Sequence, residues 1–110
     1  MKQLFSKVSK RRLKMPALSE YLNVHNTVFN ILVSKGYNIW FNEEMDVYCA
    51  EKNGWDFMAD TPCGLLGLIA IYEYKEPTHY HEYWWKEEQQ DLVRNLSKTT
   101  PGYTSIIYKK

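Results

Sequence analysis

The chain has 110 residues, of which 45% are hydrophobic, 25% charged and 15% aromatic, with a formal net charge of +1. That length fits one domain that buries its own core without staples, and the aromatic content argues against disorder. Two cysteines, Cys49 and Cys63, are too few for a disulfide framework or a four-ligand zinc site of their own, and no apolar run approaches the ~20 residues of a membrane span.

In chain order, the first segment is basic. Residues 1–14 carry Lys2, Lys7, Lys10, Arg11, Arg12 and Lys14 and no acid, a local charge of +6. The segment lacks the apolar stretch of a secretory signal, so the cytoplasm is the expected compartment. Residues 3–14 read as a short basic helix, ended by Met15-Pro16, so that 1–16 form an arm and 17–110 the body of a single domain. Ser19 is a plausible cap for a helix at about 18–35, where Leu18, Leu22, Val24, Val28, Phe29, Leu32 and Val33 recur near the helical period and Gly36 marks the stop.

Three strand-like runs follow. Residues 37–41 alternate Tyr37, Ile39 and Phe41 against Asn38 and Trp40, which sends Trp40 to the opposite face of a sheet. Asn42 to Glu44 make a turn and 45–50 alternate again. Asn53-Gly54 then sits between strand-like flanks, and both residues tolerate the positive φ of a tight type I′ hairpin. Residues 55–59 complete an antiparallel meander.

Asp60-Thr61-Pro62 reads as a helix start, because Asp or Thr caps free amides and Pro suits the first turn. The run 63–74 is apolar nearly all round, so as a helix it would be largely buried, with Gly64 and Gly67 leaving a flat stripe for close packing; a buried strand is the rival reading. Residues 80–97 read as a polar amphipathic helix with Tyr83, Trp84, Leu92, Val93 and Leu96 as its apolar members. Residues 103–108 read as one more strand. Helices and strands are segregated, so the expected fold is α+β: a three- or four-stranded antiparallel meander packed against three to four helices.

Charge is unevenly spread. Residues 15–108 hold six bases against all 13 acids, a balance of −7, and 43–60 set Glu43, Glu44, Asp46, Glu51, Asp56 and Asp60 against Lys52 alone, a balance of −5. Phosphate binding needs clustered Lys and Arg, so an acidic body argues against nucleic acid as the main partner. It suits a cationic protein instead, since opposite charge steers encounter and selects the partner.

Catalytic signatures are weak. No Gly-rich loop between strand and helix forms a phosphate cradle, and no serine sits in a nucleophile elbow. His79 and His81 make an H-x-H pair that binds a metal only with a third ligand such as Glu73 or His25, and without one they read as surface histidines. Cys63 falls in the first turn of a helix, where the dipole lowers a thiol pKa, but no neighbouring base is evident. The aromatics stand out more: Tyr80, Tyr83, Trp84 and Trp85 crowd together, and Trp40 and Trp55 lie on adjacent strands. Trp55 and Trp84 read as core; Trp40 and Trp85 read equally as core or as interface anchors.

The stretch Gly54-Trp55-Asp56-Phe57-Met58-Ala59-Asp60-Thr61-Pro62, with Leu65-Leu66-Gly67-Leu68-Ile69 and Ile71-Tyr72-Glu73, resembles small bacterial immunity proteins of polymorphic toxin systems, the contact-dependent growth inhibition type in particular. The resemblance covers roughly residues 37–75. It implies a non-enzymatic cytoplasmic protein that binds the C-terminal toxin domain of a large secreted effector and blocks its active site. Such toxins are often nucleases with basic clefts, to which an acidic patch is complementary. The basic arm departs from a uniformly acidic inhibitor.

The expected function is therefore a protein-binding module with Trp40, Glu43, Glu44, Asp46, Asp56 and Asp60 as partner contacts. No catalytic residue, metal, cofactor, nucleic acid or membrane is expected, and the paired glycines and spare aromatics permit a homodimer. The alternatives are a small metal-binding or enzymatic domain centred on His79 and His81, and a nucleic-acid-associated regulator acting through the basic arm.

Overall fold

Hydrophobic periodicity and turn chemistry place the elements in the computed structural model, which describes residues 17–109. The expected basic helix at 3–14 lies outside those residues. Glu20–Arg94 form one unit that holds the sheet and both α-helices; the described residues of a second unit are 17–19 and 95–109.

Helix α1 spans Leu22–Ser34. It starts later than Ser19: Tyr21 takes the extended N-cap conformation, with no side-chain cap, while Glu20 before it is engaged with His25 and the Cys63 amide. Its C-terminus is a Schellman motif. Gly36 adopts φ 91°, its amide donates to the Val33 carbonyl, and the Tyr37 amide donates to the Leu32 carbonyl. Glycine supplies the left-handed conformation that this reversal needs, and Tyr37 and Leu32 provide the accompanying apolar contact.

Strands β1 (Asn38–Asn42), β2 (Val47–Lys52) and β3 (Trp55–Ala59) form an antiparallel sheet in the order β1-β2-β3. The first turn is longer than expected and takes Met45 and Asp46 out of the strand. The Met45 amide donates to the Asn42 side-chain oxygen at 3.0 Å, and Asp46 closes the loop in a left-handed conformation, φ 59°. The second turn is the expected one, with Asn53 and Gly54 both at positive φ (53° and 88°). Residues 103–108 do not add a fourth strand: Ile106–Tyr108 form a short 3-10 turn capped by the Ser105 hydroxyl.

Helix α2 spans Pro62–Lys75, so 63–74 is helix and not buried strand. Thr61 caps it, its Oγ1 accepting from the Gly64 amide at 2.9 Å, with Pro62 in the first turn. The helix is not largely buried. Pro62, Leu65 and Ile69 face inward, whereas Leu68, Ile71 and Tyr74 are exposed. Gly64 packs closely against Thr61 and Ala59, but a side chain at Gly67 would meet open space, so no flat packing stripe runs along the helix.

The fold has two α-helices among the described residues, not three or four. Residues 80–97 make turns instead of a helix. Tyr83 sits at φ 61°, which no helix interior accommodates. Of the five apolar residues expected on that helix, only Trp84 is partly buried, against the core cluster; Leu92, Val93 and Leu96 are exposed. An amphipathic helix gains most of its stability from burying its apolar face, and apart from Trp84 the apolar residues of this segment are exposed.

Both helices pack on one face of the sheet. Val28 and Leu32 of α1, Leu65 and Ile69 of α2, and Tyr37, Ala50 and Phe57 form the core, with Ile39, Tyr48, Trp55 and Trp84 against it. Trp55 lies 5.4 Å from Trp84 and 5.5 Å from Tyr72, and Phe57 lies 5.4 Å from Tyr72, so Trp55 and Trp84, expected in the core, pack against it partly buried.

Tyr37 donates to the Glu73 carboxylate at 3.2 Å, and Glu73 also pairs with Lys35 at 3.1 Å. Burial, reinforced by the Glu73 charge, pushes the Tyr37 phenol up to about 12. An unfolded tyrosine titrates near 10. The protonated phenol therefore stabilises the fold fully below pH ~10, and that contribution, on the order of 2–3 kcal/mol, is lost as pH rises from about 10 to about 12. Chemical denaturation across that window is expected to show this loss in the native chain and not in Tyr37→Phe.

Candidate functional site

Strand pairing divides the sheet into two faces. Residues directly opposite one another share a face, and neighbours along a strand alternate. Ile39, Ala50 and Phe57 form one row and Tyr48 pairs with Ala59; these point toward the helices. The opposite row is Trp40, Cys49 and Met58. Trp40 thus occupies the far face, as its place in the alternation predicts.

Neither helix covers that far face. Trp40 is 47% exposed and Met58 48% exposed, yet Cys49 between them is only 4% exposed. The edge strands' large side chains shield the small central one. The result is a solvent-facing apolar strip across three strands.

Acids bracket the strip. At one end Glu51 pairs across the strands with Asp56 on one side and Asn38 on the other. Glu51 accepts from the Gly54 amide at 2.9 Å and from the Asn38 side chain at 2.8 Å. Those two hydrogen bonds, the Gly54 amide foremost, hold its carboxyl below the usual carboxylate range, so it stays charged at neutral pH. At the other end lie the Glu43–Asp46 turn and Asp60, which follows the Ala59–Tyr48 pair. Glu43, Glu44, Asp46, Asp56 and Asp60 are all exposed.

Lys52 is the sole base between 38 and 60, and it faces the other way. Its Nζ donates to the Lys35 carbonyl at 2.7 Å and lies 5.1 Å from the Tyr37 ring centroid. Of the strand residues, the far face therefore holds Glu51 and Asp56 and no cation to offset them.

The six residues singled out from sequence do not form one cluster. Trp40 is central, Asp56 lies at one end, and Glu43, Glu44, Asp46 and Asp60 lie at the other. Met58, Cys49 and Glu51 were missed, although the two-residue Asn53-Gly54 turn fixes Cys49 opposite Met58 and Glu51 opposite Asp56. Trp85 is half exposed, 5.8 Å from Tyr83 with the rings nearly perpendicular.

His79 and His81 are exposed and belong to no group of three metal-capable side chains among the described residues; His79 Nδ1 lies 3.0 Å from the Thr78 hydroxyl. The group that the fold does assemble is Glu20, His25 and Cys63; Cys63 is distant in sequence from the other two, and the group was not anticipated. Cys63 lies in the first turn of α2, as expected. Its thiol is raised, not lowered, by burial and by the hydrogen bond and charge of Glu20.

Among the described residues no helix is long and apolar enough to cross a membrane. None of the protein-family models, curated proteins or solved structures compared with the chain matches it.

Proposed function

We propose that the chain is a non-catalytic binding module whose far sheet face receives a cationic protein domain, and that it serves as an immunity protein neutralising a toxin domain, a nuclease with a basic substrate cleft. The observation that carries this reading is the Trp40–Cys49–Met58 strip, bracketed by Glu51 and Asp56 at one end and by Glu43, Glu44, Asp46 and Asp60 at the other. An exposed Trp beside a flexible Met is the kind of apolar centre that dominates protein interfaces. The surrounding carboxylates would set partner choice and accelerate encounter. A cleft built to hold phosphates presents the complementary charge, and occupying it excludes the substrate.

The test is capture of the partner by the tagged chain expressed with its genomic neighbours, followed by side-chain oxidation footprinting of the complex. The expected result is a basic domain whose binding protects Trp40 and Met58 from oxidation while leaving Trp85 reactive. Recovery of a partner that protects Trp85 and leaves Trp40 reactive overturns the assignment of this face. Neutralising the turn acids as Glu43→Gln, Glu44→Gln and Asp46→Asn is expected to slow association by roughly tenfold at low salt and to flatten its salt dependence. Asn is the choice at 46 because it tolerates the left-handed backbone there.

A further inference from the structure

We propose that Glu20, His25 and Cys63 form a binding site for a thiophilic divalent cation, zinc above all, which ties the start of α1 to the first turn of α2. The site is independent of what the sheet face binds. One carboxylate oxygen, one imidazole nitrogen and the Cys63 sulfur all lie within 4.8 Å of one another. Glu20 Oε2 is 2.9 Å from His25 Nε2 and accepts from the Cys63 amide at 3.3 Å. Three donors at zinc bond lengths of about 2.0–2.3 Å sit some 3.3–3.8 Å apart in a tetrahedron. Small side-chain rotations reach that spacing from the observed arrangement, and the hydrogen bond from the Cys63 amide to the Glu20 carboxylate already links the two segments.

The donor chemistry is selective. Oxygen, nitrogen and sulfur together favour zinc over magnesium or calcium, which take oxygen ligands. Charge also fits: a glutamate and a thiolate together neutralise a divalent ion. Glu20 and His25 both retain solvent exposure, so the fourth position is open to water.

A nucleophilic Cys–His–Glu triad is the rival use of these residues, and the local chemistry disfavours it. Such a triad needs the thiol against one imidazole nitrogen and the carboxylate on the other, whereas one Glu20 oxygen, Oε2, meets both His25 Nε2 and the Cys63 amide. A bound cation would displace the thiol proton as the metal–sulfur bond forms.

The experiment is titration of the intact chain with Zn²⁺ and, as a spectroscopic probe, Co²⁺. The expected result is a tetrahedral cobalt spectrum with a sulfur-to-cobalt charge-transfer band, displaced by zinc, and a rise in Tm of several degrees at about 100 times Kd. Mg²⁺ produces neither. Cys63→Ser, close to isosteric and expected to fold, loses the charge-transfer band; His25→Ala weakens zinc by at least about tenfold, the scale already seen for partners one shell further out. Native protein that shows no cobalt–sulfur band overturns the site. So does a Cys63→Ser variant, folded by circular dichroism, that keeps the full zinc-induced Tm rise.

Discussion

Replacing Leu65 with alanine is expected to lower the unfolding free energy of the Glu20–Arg94 unit by about 3 kcal/mol, within the 2–5 kcal/mol range for a buried Leu→Ala change. Leu65 is fully buried, and it lies in a core cluster of only seven buried residues among those described. Domains of this size are typically stable by about 5–10 kcal/mol, so one such cavity removes a large share. The informative comparison is Leu68→Ala, one turn along the same helix. Leu68 is 37% exposed, so it has less apolar surface to return to water, and a cost nearer 1 kcal/mol is expected. Urea denaturation of both variants separates them. Equal losses at the two positions would mean that the outer face of α2 is covered, contrary to the packing described above.

The pair also bears on what the sequence could disclose. The run 63–74 is apolar on every side, so periodicity identifies no inner face; which side is buried depends on where the sheet lies, and that is tertiary information. The sheet itself was legible because its signals are local. Asn53-Gly54 fixes a two-residue hairpin, the hairpin fixes the β2–β3 register, and the period of two assigns Trp40 to the far face. Thr61-Pro62 and Gly36 are equally local, and the start of α2 and the end of α1 fall where those residues put them.

The misreadings arise where local pattern lacked a tertiary partner. Residues 80–97 have helical composition, but only Trp84 reaches a core, and Tyr83 in a left-handed conformation breaks the helix. Residues 103–108 have strand composition, but Ile106–Tyr108 close into a short 3-10 turn capped by Ser105. The Glu20–His25–Cys63 group is the converse case. Cys63 is 43 residues from Glu20, and no spacing rule joins residues brought together by the packing of two separate helix starts.

Trp40→Ala is expected to weaken the partner complex by roughly thirtyfold or more, mainly through faster dissociation. A buried Trp anchor at an interface centre is worth 2 kcal/mol or more, and each 1.4 kcal/mol is a factor of ten. Surface plasmon resonance on the captured domain separates this effect from that of the turn acids. Neutralising Glu43, Glu44 and Asp46 removes long-range attraction, so it acts on association and its size falls as salt rises. Truncating Trp40 removes short-range contact, so it acts on dissociation and persists at high salt. Its cost to the free chain should be small, because the helix-facing core is untouched; the local consequence is exposure of Cys49, which Trp40 and Met58 now shield. That exposure supplies an internal control. A thiol reagent that does not reach Cys49 in the native chain should modify it in Trp40→Ala, and partner binding to the native chain should add no further protection where the sulfur is already covered. A Trp40→Ala chain with unchanged dissociation and a newly reactive Cys49 would show that the strip had been opened without affecting the partner, and the binding surface would then have to be sought away from this face.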